Sequence, residues 1–477
     1  MLPIKSRRAR AVLLILPAVS ALAVLPRAAH ASGFALLEQN ASGLGNAYAG
    51  TAAVAEDAST VFFNPAGMAY LPGAQFVSGF DMIKPSAKFN DSGSIPSGTG
   101  VDPLGAALDP RIQRPLGSSG RDAGSLAIVP NMYFVFDVMP RVKFGLGVNA
   151  PFGQKTNYDP NWEGRFQGIT SSIKTLNVNP SLSWKMNDYV ALGLGANWQK
   201  LDAKFTQNVN YAANVYGTAL GTFPISLLPP IFGSPVAALV TALTVPAANS
   251  EGMVQVTGSG ETWGWNGGVI LEPRPGTRVG LSYRSKMKYH IVGTVTFNNV
   301  PAVAATAAAN GNIAADVTLP DIATLSLVQQ ITDKWKVMAD AAYTHWDVIG
   351  NLAFSRDNGT VLQSTPENFR NTWRFALGTT YQVSEKLALR TGIARDQTPV
   401  NSTDLTVRLP DNNRDWVAIG AQYKVTKNIV TDVGYSHLFI KDRSINQNGG
   451  STLFNGQMSG TYKLSADILA VQLTYKF

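Results

Sequence analysis

Apolar and polar positions alternate along most of this chain. In Trp373 to Val383 (WRFALGTTYQV), the odd positions Trp373, Phe375, Leu377, Tyr381 and Val383 are apolar, while Arg374, Ala376, Gly378, Thr380 and Gln382 are small or polar. Successive side chains of a strand point to opposite faces, so a period of two predicts strands with one apolar face. The chain ends in the same way, with Val471, Leu473, Tyr475 and Phe477 set against Gln472, Thr474 and Lys476. Ile429, Val433 and Tyr435 likewise alternate with Asp432 and Gly434. A soluble sandwich would show the same alternation, so no single strand separates it from a membrane barrel.

Length and punctuation favour the barrel. Many segments run ten residues or more, and tight turns at Met139-Pro140-Arg141, Asn187-Asp188, Pro273 to Thr277, Thr332-Asp333, Ser384-Glu385 and Thr426-Lys427 alternate with long connections. Reading strands between these marks gives about fourteen, with both ends on the short-turn side, as outer-membrane barrels require. The expected fold is all-β: a transmembrane antiparallel β-barrel over residues 74–477. In lipid only a closed sheet leaves no unpaired backbone edge. Aromatic residues near strand ends, such as Trp184, Tyr189, Trp335, Tyr381 and Tyr475, suit interfacial girdles. After the N-terminus no window holds eighteen uninterrupted apolar residues, which excludes a helical membrane protein.

The first thirty-one residues read as an export address. Lys5, Arg7, Arg8 and Arg10 precede the apolar run Ala11 to Leu25, and Ala29-His30-Ala31 has the small-x-small pattern of a cleavage site. Cleavage there starts the mature chain at Ser32 and changes the charge. Of 39 Lys and Arg, five lie in this segment and none of the 31 Asp and Glu does, leaving 34 against 31. Most of the basic balance leaves with the signal, and with it the argument for nucleic acid as a partner. The absence of cysteine suits an oxidising compartment and excludes thiol chemistry.

Residues 32–73 do not alternate. They are rich in Gly, Ala and Asn, too few to fold alone, and expected to pack as a hatch inside the barrel. Within them stands Val61 to Tyr70, VFFNPAGMAY, in which two phenylalanines run into an Asn-Pro turn.

The blocks SGFALLEQNASGLGNAYAG from Ser32, Asn64-Pro65-Ala66, VPNMYF from Val129, WGWNGGVILE from Trp263, LSYRS from Leu281, FALGTTY from Phe375 and RTGIARDQTPV from Arg390 stand in register with one family. The chain closely resembles the FadL/OMPP1/TodX transporters of Gram-negative outer membranes, over essentially its whole mature length. The resemblance implies a fourteen-stranded barrel closed by an N-terminal hatch, with Asn64, Pro65 and Ala66 turning inside the lumen. Phe34, Phe62 and Phe63 would then be lumen groups, either packing the hatch or touching solute.

Three features fit an oily solute. Asn149, Pro151, Phe152 and Gly153 interrupt the third strand, because proline removes a ladder donor and glycine relaxes the backbone; an ordinary strand end is the alternative. In the family an inward kink there opens the wall sideways. The connection 207–258 carries Phe223, Leu227, Leu228, Ile231 and Phe232, costly in water unless it binds something. With residues 298–315 it resembles the family's apolar capture loops. Finally, Arg278 to Ile291 reads as Val279, Leu281, Tyr283, Met287, Tyr289 and Ile291 outward, with Arg284, Lys286, Lys288 and His290 inward. That row could hold a carboxylate or pair with lumen acids such as Asp340 and Asp432.

At the family's two carboxylate-clamping positions this chain places Gln207 and Ala353, with Lys200, Lys204 and Arg356 nearby as substitutes. The expected function is passive uptake of hydrophobic compounds, long-chain fatty acids first, by lateral exit through the kinked wall. Aromatic or aliphatic hydrocarbons are the alternative solute, and a general porin is a further alternative. An enzyme is not expected: His290, His345 and His437 come with no catalytic motif, and no cofactor or metal is implied. Expected partners are the solute, outer-membrane lipid or detergent, and the barrel-assembly machinery through Phe477, with the protein acting as a monomer.

Overall fold

The computed structural model describes residues 33–100, 108, 110–222 and 245–477. The export segment and the loop residues Phe223, Leu227, Leu228, Ile231 and Phe232 lie outside the described residues.

The wall is one closed antiparallel sheet of fourteen strands. In order they are Gln75–Asp91, Ala127–Met139, Val142–Asn149 continued by Gly153–Asn157, Thr170–Lys185, Val190–Asn210, Glu251–Arg274, and Thr277–Arg284 continued by Met287–Phe297. Then come Gly311–Leu319 continued by Ile322–Thr332, Trp335–Thr344 continued by Asn351–Arg356, Val361–Pro366 continued by Thr372–Gln382, and Leu387–Asp396. Arg414–Lys424, Ile429–Ile440 continued by Arg443–Gln447, and Met458–Lys476 complete the ring. The first strand pairs with the last from Gln75↔Lys476 to Asp91↔Gly460, so no edge is left. Each tight turn read from the sequence joins two strands at the end that also holds Gln75 and Lys476.

The alternation has the expected sense. Trp373, Tyr381, Val383, Val471, Leu473, Tyr475 and Phe477 are exposed on the outer face, whereas Arg374, Thr380, Asp432, Gln472 and Thr474 are buried inside. Leu194 at 62% and Trp263 at 68% exposure would be untenable in water in such numbers, but they form the surface that meets lipid.

Residues 33–73 pack within this wall. Ser42 and Gln472 both donate to the Asp57 carboxylate, at 2.7 and 3.0 Å. Thr51 donates to Asp340 at 2.6 Å and Arg390 bridges Glu56 at 2.8 Å while also pairing with Asp432. Asn64 is fully buried. Its side-chain amide donates to the Ala52 carbonyl at 2.6 Å, and its oxygen accepts the Ala66 N–H at 3.0 Å. It thereby caps the 3-10 turn Pro65–Tyr70, whose first residue lacks a donor. This turn lies so close to the fifth strand that a Cβ on Gly193 would stand 2.1 Å from the Ala66 nitrogen. Only glycine fits there.

Two readings need correction. The strands reach further than expected, to Asn210 and from Glu251, and again from Gly311, so the outer connections are shorter than 207–258 and 298–315. The second concerns the seventh strand, where the face reverses at Ser285–Lys286. From Asn266 to Ser259 the sixth strand takes seven steps, while the seventh takes eight from Arg284 to Val292. One extra residue flips every side chain beyond it. Met287, Tyr289 and Ile291 are therefore buried inside, and Lys286, Lys288 and His290 are exposed outside.

Candidate functional site

The upper lumen holds an apolar pocket of about 80 Å³. It is lined by side chains from the wall, including Leu201, Ala203, Phe205, Val256, Ile291, Ile313 and Leu319, and floored by Phe34. Its polar groups are Gln154, Glu367 and Arg408. Since Leu201, Ala203 and Phe205 face this pocket, the alternate positions Lys200 and Lys204 face away and are exposed. Lys200 instead meets Asp202 at 3.6 Å. Neither these lysines nor Lys286 and Lys288 are placed to touch a solute in the lumen.

The cation that does reach the pocket was not read from the sequence. Arg408 lies in the connection between the eleventh and twelfth strands, which folds inward because Leu405 and Val407, just before it, are buried. Tyr158 fixes that connection by donating to the Val407 carbonyl at 2.7 Å, and Thr156 donates to the Arg408 carbonyl at 3.1 Å. The guanidinium lies 5.5 Å over the Phe205 ring and donates to Ser171 Oγ at 3.1 Å and to Gln207. Among the described residues it makes no ion pair within 4.0 Å. Burial lowers its pKa to about 10, which leaves it charged at neutral pH. Burial pushes the neighbouring Glu367 carboxyl up to about 8. A loop arginine carries no periodic signal, although Leu405, Val407 and Leu409 do alternate within this connection.

Gln207, which the resemblance was expected to set at a clamping position, reaches the site as Arg408's acceptor. Leu352 and Phe354, flanking Ala353, line the pocket. Arg356 turns away to the Ala309 carbonyl at 2.8 Å. Above lies a wider cavity of about 510 Å³ between the outer connections, lined by Val209, Tyr211, Phe297, Ala304, Ala308 and Phe454 among others. It shares Val256 and Arg408 with the pocket below, so the two are contiguous.

The third strand breaks where expected. Its ladder to the second strand runs only from Met139↔Val142 to Met132↔Val148, and the continuation Gly153–Asn157 pairs with the fourth strand. A lone bridge, Gly124↔Thr156, closes the upper margin. Pro130 stands on the second strand beside the gap and has no N–H to offer across it. From within, Leu36 donates to the Pro151 carbonyl at 2.8 Å, Gly153 donates to that of Phe34 at 3.0 Å, and Gln39 donates to that of Ala150 at 2.9 Å. Phe152 turns inward, its ring 6.1 Å from Phe34 and 6.3 Å from Trp346. Asn149 accepts from Asn177 at 3.1 Å, at the end of an amide row that continues through Asn197 to Asn266.

Under the N-terminal segment lies a second cavity, also of about 80 Å³, lined by Leu36, Leu37, Phe62, Phe63, Pro151 and Arg284 among others. Phe62 and Phe63 meet edge to face at 5.1 Å and are only partly buried, because they border this space. Asp340 and Asp432 are engaged by Thr51, Ser326 and Arg390, not by Arg284. The three histidines among the described residues each face carboxylates: His290 meets Asp316 at 2.8 Å, His345 meets Asp321 at 3.1 Å and Asp347 at 2.8 Å, and His437 meets Asp467 at 2.8 Å.

A closed barrel with a lipid-facing exterior, a filled lumen and an apolar internal pocket is the architecture of an outer-membrane channel for hydrophobic compounds. Residues 22–477 match the model of the family described as outer membrane protein transport protein (OMPP1/FadL/TodX), and the chain belongs to that family. It is 31% identical over 462 residues to outer membrane protein P1 of Haemophilus influenzae, covering 94% of this chain and 96% of that one. It is 28% identical over 436 residues to the long-chain fatty acid transport protein of Escherichia coli K12, covering 90% and 92%. Its fold matches the crystal structure of a Pseudomonas aeruginosa FadL homologue with a TM-score of 0.80 at 25% identity, over 94% of this chain and 100% of that one. The Ralstonia pickettii toluene transporter TbuX shares the fold at a TM-score of 0.62 and 19% identity, over 92% and 99%. The protein is therefore a multi-pass protein of the Gram-negative outer membrane, in a family made up of transport channels.

Proposed function

We propose that this channel takes up long-chain fatty acids passively, holding the carboxylate at Arg408 with the chain in the apolar pocket beneath. The observation that carries this reading is a buried guanidinium that, among the described residues, makes no ion pair within 4.0 Å, set at the polar end of an otherwise apolar pocket beside Glu367, whose carboxyl burial keeps largely neutral at pH 7. An ionised carboxylate there gains charge-assisted hydrogen bonds while its tail leaves water at about 25 cal/mol per Å² of apolar surface. The Escherichia coli relative named for long-chain fatty acid transport supports the same solute class.

The solute docks in the outer cavity, descends to Arg408, passes the segment Phe34 to Leu37 and leaves through the gap beside Pro151 into the bilayer. Dropping into the periplasm would return its tail to water, whereas sideways exit keeps that surface covered. Residues 33–73 act as the hatch. Displacing them needs no energy source if solute binds the displaced arrangement better.

Binding of oleate, oleyl alcohol, hexadecane and toluene to the purified protein tests the solute class. Oleate binding at least tenfold tighter than oleyl alcohol is expected; equal affinity for all four would transfer the reading to hydrocarbons. For the exit, replacing Pro151 and Gly153 by Val is expected to stop uptake and leave binding in detergent intact. Uptake at the unaltered rate through a sealed wall would exclude lateral exit.

A further inference from the structure

Arg284 is a second cation bordering an apolar cavity, which Arg374 also lines, and its surroundings differ from those of the ion pairs described above. Its Nη1 donates to Asn197 Oδ1 at 2.5 Å and its Nη2 to the Phe62 carbonyl at 2.8 Å. The guanidinium lies 4.3 Å over the Phe62 ring. All three partners are neutral, and among the described residues no carboxylate comes within 4.0 Å. A guanidinium has five N–H donors, so three remain after these two bonds.

The neighbouring cations are more tightly committed, although Arg374 keeps one buried N–H, on Nε, unpaired. Arg374, which lines the same cavity, donates to the Ala47 carbonyl and stacks 5.3 Å over the Trp416 ring. Arg390 is held by Glu56 and Asp432. The position of Arg284 is equally telling. The segment Phe34 to Leu37 separates its cavity from the pocket above, because Phe34 floors the upper space while Leu36 and Leu37 line the lower. Pro151, at the break in the wall, borders the lower one.

We propose that Arg284 is a second carboxylate-binding station, which receives the head group of a fatty acid after it passes the N-terminal segment and holds it while the tail enters the gap beside Pro151. The inference rests on the fatty-acid reading given above. An ionised carboxylate cannot cross an apolar cavity unpaired without a large desolvation cost, and Arg284 provides the counter-charge at the place where the tail has already left the upper pocket. A solute without a carboxylate has no use for the station.

The experiment compares the unaltered protein with Arg284→Gln, Arg284→Lys and Asn197→Asp, all full length. Asn197→Asp keeps the arginine and gives it a built-in carboxylate partner at the atom it already touches. Two readings are taken: equilibrium binding of oleate and oleyl alcohol in detergent, and uptake of each into cells. Arg284→Gln and Asn197→Asp are expected to leave oleate binding at the upper pocket within about twofold, to lower oleate uptake by roughly tenfold, and to change oleyl alcohol uptake little. Arg284→Lys should restore most of the oleate rate. Equal losses for both solutes would show that Arg284 only braces Phe62 and Asn197, and unchanged oleate uptake in Asn197→Asp would equally overturn the station. Failure of the upper-pocket reading shows separately, as an unaltered protein that binds both solutes alike. Should Arg284→Gln not insert, Asn197→Asp decides by the same two readings.

Discussion

The N–H of Leu36 donates to the Pro151 carbonyl over 2.8 Å, giving the third strand a backbone partner where the second strand provides none. The N-terminal segment is thereby a piece of the wall as well as a filling for the lumen. Ala35 stands directly opposite Phe152, and the backbone bonds on either side, Leu36 to Pro151 and Gly153 to Phe34, make this a non-hydrogen-bonded pair. Opposed residues of that kind have Cα atoms about 4.5 Å apart, within disulfide range.

The chain has no cysteine, so Ala35→Cys with Phe152→Cys creates a single defined bridge. Oxidation should hold the segment on the kink and stop fatty-acid uptake, and a reductant should restore it. Uptake that is the same in both redox states would show that the segment does not move during transport.

Arg408→Gln removes the charge at the polar end of the pocket. A hydrogen bond to a charged group contributes about 1.5–3 kcal/mol, so oleate affinity should fall by about 10- to 100-fold. Oleyl alcohol should bind nearly as before, and the contrast can be measured by titration calorimetry on the detergent-purified protein.

Glu367 sets a pH dependence on the same site. Burial raises its carboxyl to about 8, so it is largely neutral at pH 7 and gains a negative charge as the pH rises through that value. The new charge neutralises Arg408 and repels the solute, so oleate binding should weaken between pH 7 and 9, by roughly tenfold if the neutral form alone binds. Glu367→Gln should flatten this profile over the same range.

Gly193→Val tests how tightly the hatch is seated. Its side chain would occupy the place of the Pro65–Ala66 backbone, against which even a Cβ would stand at 2.1 Å. The barrel should still insert, because the ladders of the fifth strand are unaffected, but the displaced turn should raise ion conductance in planar bilayers. Overpacking of this kind costs about 1–3 kcal/mol.

Arg390→Met strips the shared partner from Glu56 and Asp432. Both carboxylates would remain enclosed, Asp432 without its cation and Glu56 with only Lys336. Breaking a buried ion pair in this way costs about 3–5 kcal/mol, so the heat-induced shift from folded to unfolded mobility on gels should occur at a clearly lower temperature.

Strand existence, turn positions and the outward sense of Trp373, Tyr381, Val471 and Phe477 were legible in the sequence because they are local: a period of two and a breaker pair need no knowledge of partners. The break at Asn149 to Gly153 was legible for the same reason, since proline and glycine act on their own backbone. The Asn64-Pro65-Ala66 turn was legible as a turn, but its seat against Gly193 was not.

The face of Lys286, Lys288 and His290 could not be read, because it depends on counting residues across to the sixth strand. Within the seventh strand alone the alternation looks unbroken, and only the ladder shows that eight steps there oppose seven. Nor could the chain announce that Arg408 belongs to the pocket, more than two hundred residues from Leu201 and Phe205. The sequence by itself determined a barrel, its turns, its kink and the family to which it belongs. Tertiary structure decided which cations reach the lumen, because facing and contact are set by the residue count and packing of neighbouring strands, which no single segment records.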